Sequence, residues 1–280
     1  MSVRIASLNS GSNGNCYYVA YAGEAVLVDV GISCKEVEKR MARIGLNMKD
    51  VKAIFISHEH SDHIRGVEVL SKKYQLPVYI TPATLRNSRL TIREELQRTF
   101  GPGLPVQIGK LLIRPFSKRH DAADPYSFVV SANNIHIGVF TDIGSCCDNV
   151  TRHFKECHAV FLEANYDREM LETGMYPYHL KKRISGGHGH LSNHESLELF
   201  NTHRSEHISH LILSHLSKDN NSPDLVKQLF EKHAGQTKIV VASRYYETEV
   251  YEITAGAADI SGLSQARTEV YGASVQTKLF

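Results

Sequence analysis

The chain has 280 residues, of which 42% are hydrophobic, and its formal net charge is +2. This length and apolar content suffice for a large core, and no stretch rich in Pro, Gly or Ser divides the sequence. We therefore expect one domain over residues 1–280, with a core at 1–254 and a tail rich in Ala, Gly, Ser and Thr at 255–280. A net charge this small does not by itself indicate a nucleic-acid partner. Any such partner would have to be attracted by a locally positive groove.

Composition also predicts where the protein works. No run of about 18 apolar residues could span a membrane, and residues 1–15 turn to Gly, Ser and Asn too early for a signal peptide. The five cysteines are odd in number and lack zinc-site spacing, which favours a reducing compartment. We expect a cytoplasmic protein that does not bind membranes.

Short apolar segments at the start of the chain predict strands at Val3–Leu8, Tyr17–Ala20 and Ala25–Asp29. The loop after the first of them is rich in Gly, Asn and Ser. Its backbone amides and the side chains of Ser10, Asn13 and Asn15 could bind an anion such as a phosphate. Loops of this composition are equally often simple turns, so both interpretations stay open.

The segment from His58 to His63 holds three histidines and Asp62. It follows an apolar run at 53–56 that predicts a buried strand, and the apolar residues at 64, 67, 69 and 70 predict an amphipathic helix after it. In an extended segment, side chains two residues apart point the same way, so His58 and His60 can converge on one ion while Asp62 and His63 face a second. Solvated loop histidines are the alternative, but this spacing at a strand end favours a metal site.

Two metal ions need more ligands than one short segment supplies. Three candidates follow predicted strands: His120 comes after Leu111–Phe116, Asp142 after His136–Thr141, and His215 after Leu211–Leu213. Strand ends are the usual position of site residues in α/β proteins. The sequence therefore offers a complete set of metal ligands.

Together these motifs resemble the metallo-β-lactamase superfamily over nearly the whole chain. Asp29 matches its first motif, residues 58–63 the second, and His120, Asp142 and His215 the third, fourth and fifth. The resemblance implies an α/β fold, a four-layer αββα sandwich with the metals at one edge of two central sheets. It also implies the ligand sets, namely His58, His60 and His120 for one metal and Asp62, His63 and His215 for the other, with Asp142 bridging and Asp29 in support.

Later segments narrow the branch of the superfamily. Lactam-hydrolysing members most often have cysteine where this chain has Asp142, and flavodiiron members carry a different second motif and a fused flavin domain, so both are disfavoured. Residues 161–166 resemble the H-E-A-T segment of ribonuclease Z-like nucleases, which implies a pair between Glu163 and His190. A glutamate that orients an imidazole lets it deliver a proton to a departing oxygen. The alternatives are a surface carboxylate and a loop histidine before a helix capping box formed by Ser192 and Glu195.

Segments at 10–16, 162–165, 189–193 and 215–221 resemble the YycJ/WalJ-like exonuclease branch. This resemblance implies a dinuclear metal-dependent phosphodiesterase that acts on nucleic acid, with 5′-to-3′ degradation of double-stranded DNA as the expected activity. Lys218, Asn220 and Asn221 would hold a second phosphate.

The implied mechanism is two-metal hydrolysis with a hydroxide shared by the ions as the nucleophile. Asp62 or Asp142 would steer it, and His190, held by Glu163, would assist the leaving group. The ligand types suit zinc and admit manganese. A glyoxalase II-like thioesterase or lactonase uses the same seven ligands and is the alternative, whereas intact ligand positions disfavour a non-catalytic binding module. The choice between DNA and RNA, the direction of degradation and the oligomeric state stay open.

Overall fold

The computed structural model describes residues 1–255, so the predicted tail lies outside the described residues apart from Ala255. The strands are β1 (Val3–Asn9), β2 (Cys16–Tyr21), β3 (Glu24–Val28), β4 (Val51–Phe55), β5 (Val78–Tyr79), β6 (Gln97–Arg98), β7 (Val106–Ile108), β8 (Leu111–Ser117), β9 (Tyr126–Ala132), β10 (Ile135–Phe140), β11 (Ala159–Glu163), β12 (His210–Ser214), β13 (Lys238–Val241) and β14 (Tyr251–Ile253). The α-helices are α1 (Cys34–Arg43), α2 (Ser61–Ile64), α3 (Val67–Tyr74), α4 (Pro82–Ser88), α5 (Asp148–Phe154), α6 (Arg168–Thr173), α7 (Tyr178–Ser185), α8 (Asn193–His203) and α9 (Pro223–Glu231). Single 3-10 turns at Met48–Asp50 and Glu94–Leu96 precede β4 and β6. Among residues 1–255, none of the helices has the length and hydropathy that a membrane span requires.

The strands of the described region form two sheets of seven strands each. The first has the order β14-β1-β2-β3-β4-β5-β6 and the second the order β13-β12-β11-β10-β9-β8-β7. In the first sheet, the neighbours from β14 through β1 and β2 to β3 are antiparallel, and those from β3 through β4 and β5 to β6 are parallel. In the second sheet, the neighbours from β7 through β8 and β9 to β10 are antiparallel, and those from β10 through β11 and β12 to β13 are parallel. The carboxyl ends of parallel strands share one edge of a sheet, and the predicted ligands follow these ends.

Alternating side chains of the strands separate three apolar layers. In β1, Val3 and Ile5 pack into the layer between the two sheets, whereas Ala6 and Leu8 pack against α1 and α3 on the opposite face. A third layer joins the second sheet to α5, α8 and α9. Two sheets face each other and each is covered by helices, which confirms the four-layer αββα sandwich.

The helix expected after the histidine motif is divided into α2 and α3. A Cβ atom on Gly66, which lies between them, would stand 2.0 Å from the carbonyl oxygen of Ile32, so the backbones are in close contact there. Val67 and Leu70 are buried as expected, but Val69 is 60% exposed, which corrects its assignment to the buried face. The break lets α2 present the histidine motif to the site while α3 packs separately against the sheet.

Candidate metal centre

Three histidine nitrogens meet beyond the ends of β4 and β8. His58 Nε2 lies 3.1 Å from His60 Nδ1, and His120 Nε2 lies 3.4 Å from the same atom. Nδ1 of His120 donates to a backbone carbonyl at 2.9 Å. Nδ1 of His58 contacts Ser57 Oγ at 2.9 Å, and the Ser57 hydroxyl donates in turn to Asp29. These bonds place the ring protons on Nδ1, so the Nε2 lone pairs of His58 and His120 converge near His60.

A second group joins two carboxylates with two imidazoles. His63 Nε2 lies 3.4 Å from Asp62 Oδ2 and 3.2 Å from Asp142 Oδ2. His215 Nε2 lies 3.4 Å from Asp62 Oδ2 and 3.5 Å from Asp142 Oδ1. Imidazole nitrogen and carboxylate oxygen at these separations form a donor set for a divalent transition metal.

Asp142 connects the two groups. Its Oδ1 lies 3.9 Å from His120 Nε2, in addition to its contact with His215. Its Oδ2 is buried and has no hydrogen-bond partner among residues 1–255. A buried carboxylate oxygen without a donor is costly unless a cation completes its coordination. The residues present therefore fit divalent metal binding.

The two groups differ in protonation. Burial lowers the pKa of His58 well below its usual value and lowers the pKa of His120 to about 4. Burial acts on His63 and His215 in the same direction, but carboxylates led by Asp142 outweigh it, raising the pKa of His63 far above normal and that of His215 to about 10. At neutral pH the metal-free site thus holds protons on His63 and His215, where a bound cation would replace them.

Buried polar groups hold the ligands in place. Asp29 accepts hydrogen bonds from the backbone amide and hydroxyl of Ser57, both at 2.8 Å, and from His63 Nδ1 at 2.7 Å. The last bond turns His63 Nε2 toward the site. Asn15 Nδ2 donates to Asp62 Oδ2 at 3.2 Å. Asp29 thus has the supporting place that the resemblance implies.

Glu163 and His190 are in direct contact. His190 Nδ1 lies 2.7 Å from Glu163 Oε1, and backbone amides of Ile143 and Leu191 donate to Oε2 at 2.7 and 3.2 Å. Burial alone would raise the pKa of Glu163, but the charge of His190 and hydrogen bonds from His190 and His215 lower it to about 2. Glu163 is fully buried, so the alternative of a surface carboxylate does not hold.

Two residues that the sequence analysis did not predict as site residues support the ligands. Lys118, in a basic pair that suggests an exposed surface, is buried, and its Nζ donates to the carbonyl of Thr141 at 2.6 Å, one residue before Asp142. Asn165 Nδ2 donates to the carbonyl of His215 at 2.7 Å. The position of Lys118 directly after β8 was the available signal, since a cation there must lie near the ligands at the strand ends.

The predicted substrate-binding residues separate into two sets. Four of them are buried and contact neighbouring residues of the chain: Ser10, Asn15, Asn220 and Asn221. Ser10 Oγ accepts from the His215 amide at 2.7 Å, and Asn221 Nδ2 donates to the carbonyl of Ala164 at 2.8 Å. Asn13 and Lys218 are open to solvent. Their exposure is compatible with the predicted phosphate contact, and substrate binding by these six residues stays a prediction.

A cavity of about 280 Å³ opens onto the candidate ligands. His60, Asp62, Asp142, His190 and His215 line one side of it, and residues of α7 line another. His190 is the part of the Glu163 pair that reaches this space, with a side chain 21% exposed. A substrate atom in the cavity could therefore meet both the metal ligands and the His190 ring.

Comparison with known proteins agrees with this geometry. Residues 10–133 match the model of the metallo-beta-lactamase superfamily. Exodeoxyribonuclease YycJ of Bacillus anthracis is 35% identical over 230 residues, which are 81% of this chain and 87% of that protein. Exodeoxyribonuclease WalJ of Streptococcus pneumoniae is 32% identical over 239 residues, 84% of this chain and 89% of that protein. The solved metallo-beta-lactamase fold protein YhfI from Bacillus subtilis superposes with a TM-score of 0.69 at 16% identity, covering 90% of this chain and 100% of its own, which shows the shared fold. The chain belongs to the metallo-β-lactamase superfamily, as a metal-dependent hydrolase related to YycJ and WalJ.

Proposed function

We propose that this protein is a dinuclear metal-dependent nuclease of the cytoplasm that degrades double-stranded DNA from the 5′ end. The observation that carries the proposal is the position of Asp142, within 4 Å of donors from both ligand groups and beside the pair of Glu163 and His190. The relatives YycJ and WalJ, which bear the name exodeoxyribonuclease, support DNA as the substrate.

The two ions would be zinc or manganese, since imidazole favours zinc and the carboxylates also suit manganese. His58, His60 and His120 would hold one ion, and Asp62, His63 and His215 the other, with Asp142 reaching both. Such ions supply an activated water and neutralise the charge that develops on the phosphate oxygens.

Of the two candidates for orienting the attacking water, Asp62 and Asp142, the better placed is Asp62. The side chain of Asp62 is 16% exposed at the cavity, whereas that of Asp142 is 2% exposed. Asp62 Oδ2 faces His63 and His215, which leaves Oδ1 to accept a hydrogen bond from the water. Asp142 is enclosed by the ligands and acts mainly by fixing their spacing.

His190 serves the leaving group. Its Nδ1 donates to Glu163 Oε1, so the proton that it can deliver to the departing oxygen is the one on Nε2. The ionised Glu163 stabilises positive charge on the ring and fixes its orientation. Phosphodiester cleavage requires such a proton because the departing sugar oxygen is a poor leaving group when unprotonated.

The experiment is degradation of end-labelled linear double-stranded DNA by metal-stripped protein that is resupplied with manganese or zinc. The parent is compared with His190→Ala and Asp142→Ala, and with His188→Ala as the matched control, because His188 is exposed and does not line the cavity. We expect metal-dependent loss from the 5′ end that fails in the first two variants and persists in the control. His190→Ala should keep its metal content.

Other outcomes would count against the proposal. Parental turnover in His190→Ala would remove His190 from the mechanism. Hydrolysis of a thioester or lactone without cleavage of DNA or RNA would favour the glyoxalase II-like alternative, and degradation from the 3′ end would overturn the proposed direction.

A further inference from the structure

A second, larger cavity adjoins the candidate metal centre. This groove has a volume of about 650 Å³ and lies between α9, β13 and the segments 216–218 and 243–246. Ser217 lines both this groove and the cavity at the metal ligands. Ser10, also on its wall, accepts a hydrogen bond from the backbone of His215. The groove therefore begins beside a predicted metal ligand and leads away from it.

Two adjacent tyrosines form part of the groove. Tyr245 is 67% exposed and Tyr246 is 64% exposed. Aromatic rings left in water forgo the free energy that their burial would give, and adjacent exposed rings are typical of a binding surface. Flat faces of this kind stack on nucleobases of any sequence.

The backbone beneath these rings accepts hydrogen bonds from two parts of the chain, the β1–β2 loop and helix α1. Ser10 N donates to Ser243 O at 3.1 Å, Asn13 Nδ2 donates to Arg244 O at 2.8 Å, and Arg40 Nη2 donates to Tyr245 O at 2.9 Å. The tyrosines are thus presented on a fixed backbone, which reduces the entropy lost when a ligand binds.

The groove carries an excess of positive charge. Its wall contains Lys218, Lys227, Lys238 and Arg244, with Asp224 as the acidic residue among those that line it. Lys227 and Lys238 have partners in Glu231 and Glu249, at 3.7 and 3.3 Å. Lys218, by contrast, has neither a hydrogen bond nor an ion pair with any residue in the range 1–255. The side chain of Arg244 forms one hydrogen bond within that range, to the carbonyl oxygen of Leu216 at 3.0 Å. Both cations are available to an anionic ligand.

We propose that this groove holds an unpaired nucleic-acid strand beside the scissile phosphate, with bases stacked on Tyr245 and Tyr246 and phosphates at Lys218 and Arg244. This proposal rests on the proposed nuclease function, and it adds that the nucleic acid is single-stranded where it contacts the groove. Bases within a duplex have no free faces, so only separated nucleotides can stack on the tyrosines. A duplex must therefore be opened at its end before its strand occupies the groove.

The test compares the parent with Tyr245→Ala/Tyr246→Ala and with Tyr245→Phe/Tyr246→Phe, which keeps the ring faces. Affinity for a labelled single-stranded oligonucleotide is measured by fluorescence anisotropy with metal-free protein, and KM and kcat are measured with manganese. We expect the alanine variant to bind at least about tenfold more weakly and to show a matching rise in KM, because stacking on each ring is lost. The phenylalanine variant should keep parental affinity, and hydrolysis of bis(p-nitrophenyl) phosphate should be unchanged in both.

Charge is tested with Lys218→Ala against Lys110→Ala, an exposed lysine in the β7–β8 turn outside the groove. The slope of log affinity against log salt for the single strand should fall by about 0.7 in Lys218→Ala, as for one lost phosphate contact, and not in the control.

The outcomes separate the groove from the nuclease function. Parental single-strand affinity and KM in the tyrosine-to-alanine variant would overturn the groove proposal even if the parent degrades DNA. A parent that neither binds nor degrades DNA would overturn the proposed function itself, and the groove proposal with it.

Discussion

At the scale of single residues, the site depends on which ring nitrogens hold protons. His120 donates from Nδ1 to a carbonyl, and His63 donates from Nδ1 to Asp29, so each presents Nε2 to the site. Asp142 Oδ2 lies buried against His63 Nε2 without a hydrogen bond of acceptable geometry. His63 and His120 are thus oriented by a neighbour before any ion binds.

Glu163→Gln should lower kcat for DNA by about 10²–10⁴-fold, because the amide no longer supports positive charge on His190. The exposed Glu198 on α8 provides the control Glu198→Gln, which should keep parental kcat. Turnover and metal content are measured together, since Glu163 also lies 3.2 Å from His215 Nδ1. If Glu163→Gln keeps the parental kcat at full metal occupancy, Glu163 does not assist His190 in catalysis. If the variant loses metal but has a normal kcat per bound metal, Glu163 serves only to support the metal ligand His215.

Metal binding should release protons and tighten as pH rises. In the metal-free protein the pKa of His215 is raised to about 10 and that of His63 is raised as well, so both are protonated at pH 7, and a cation must displace these protons. The pKa values of His58 and His120 are lowered, so these residues bind without releasing any. Calorimetry in buffers of different ionisation enthalpy should show about two protons released from imidazoles at pH 7. On binding metal, the His215→Ala variant should release one proton fewer than the control His188→Ala. Release of the same number of protons by both variants would contradict this account.

At the scale of elements, several residues of the candidate site lie on turns that follow strands. Asp29, Asp142 and His215, after β3, β10 and β12, have φ values of 60°, 54° and 56°. This left-handed conformation is unfavourable for residues other than glycine and persists where surrounding contacts impose it, often at functional sites. The capping box predicted from Ser192 and Glu195 is confirmed at the start of α8, directly after His190. The local sequence therefore determines where helix α8 begins, whereas tertiary contacts maintain the left-handed conformation at Asp29, Asp142 and His215.

Gly31→Ala should disturb the site through the backbone. A Cβ atom there would stand 1.6 Å from the carbonyl oxygen of Asp62, in the contact where Asn15 N also donates to that oxygen. We expect a loss of about 1–3 kcal/mol in the free energy of unfolding, together with reduced metal content, because Asp62 is displaced. Denaturant titration and metal analysis check this against Gly101→Ala, where the nearest atom would be 3.8 Å away. Parental stability and metal content in Gly31→Ala would show that the contact can relax.

At the scale of the whole molecule, the site joins two halves of the chain. The motif at residues 58–63 extends from the first sheet. His120, Asp142 and His215 follow strands of the second sheet, and Glu163 is the last residue of β11 in that sheet. β14 returns to pair with β1, so residues near 251–253 close the first sheet. A metal bound at this edge by residues from both sheets would therefore oppose their separation.

Metal should accordingly stabilise the fold. At a free metal concentration of 100 Kd, the gain in the free energy of unfolding is about 2.7 kcal/mol when the unfolded chain does not bind. Thermal unfolding with and without a chelator should show this as a higher Tm of the metal-loaded parent. His60 is only partly buried, so His60→Ala should keep the metal-free Tm and lose most of the metal-dependent increase. A full increase in that variant would exclude His60 as a ligand.

Most of the fold could be predicted from the sequence. The strand predictions at Val3–Leu8 and Tyr17–Ala20 fall within β1 and β2, and the four-layer sandwich is confirmed. The single domain and the tail at 255–280 stay predictions. The prediction of one helix after the histidine motif was only partly right. The break at Gly66 depends on a contact with Ile32, which no local sequence pattern reveals.

The sequence by itself determined the family and the set of candidate ligands, because their residue types, spacing and places after apolar strands are local properties of the chain. It also suggested the pairing of Glu163 with His190 through resemblance. Only the tertiary structure decided which of the predicted polar residues are exposed to solvent. Ser10, Asn15, Asn220 and Asn221 are indistinguishable in sequence from phosphate contacts, yet long-range packing buries them. The groove at Tyr245 and Tyr246 likewise forms only where distant segments meet, since burial and shape depend on contacts between residues far apart in the chain.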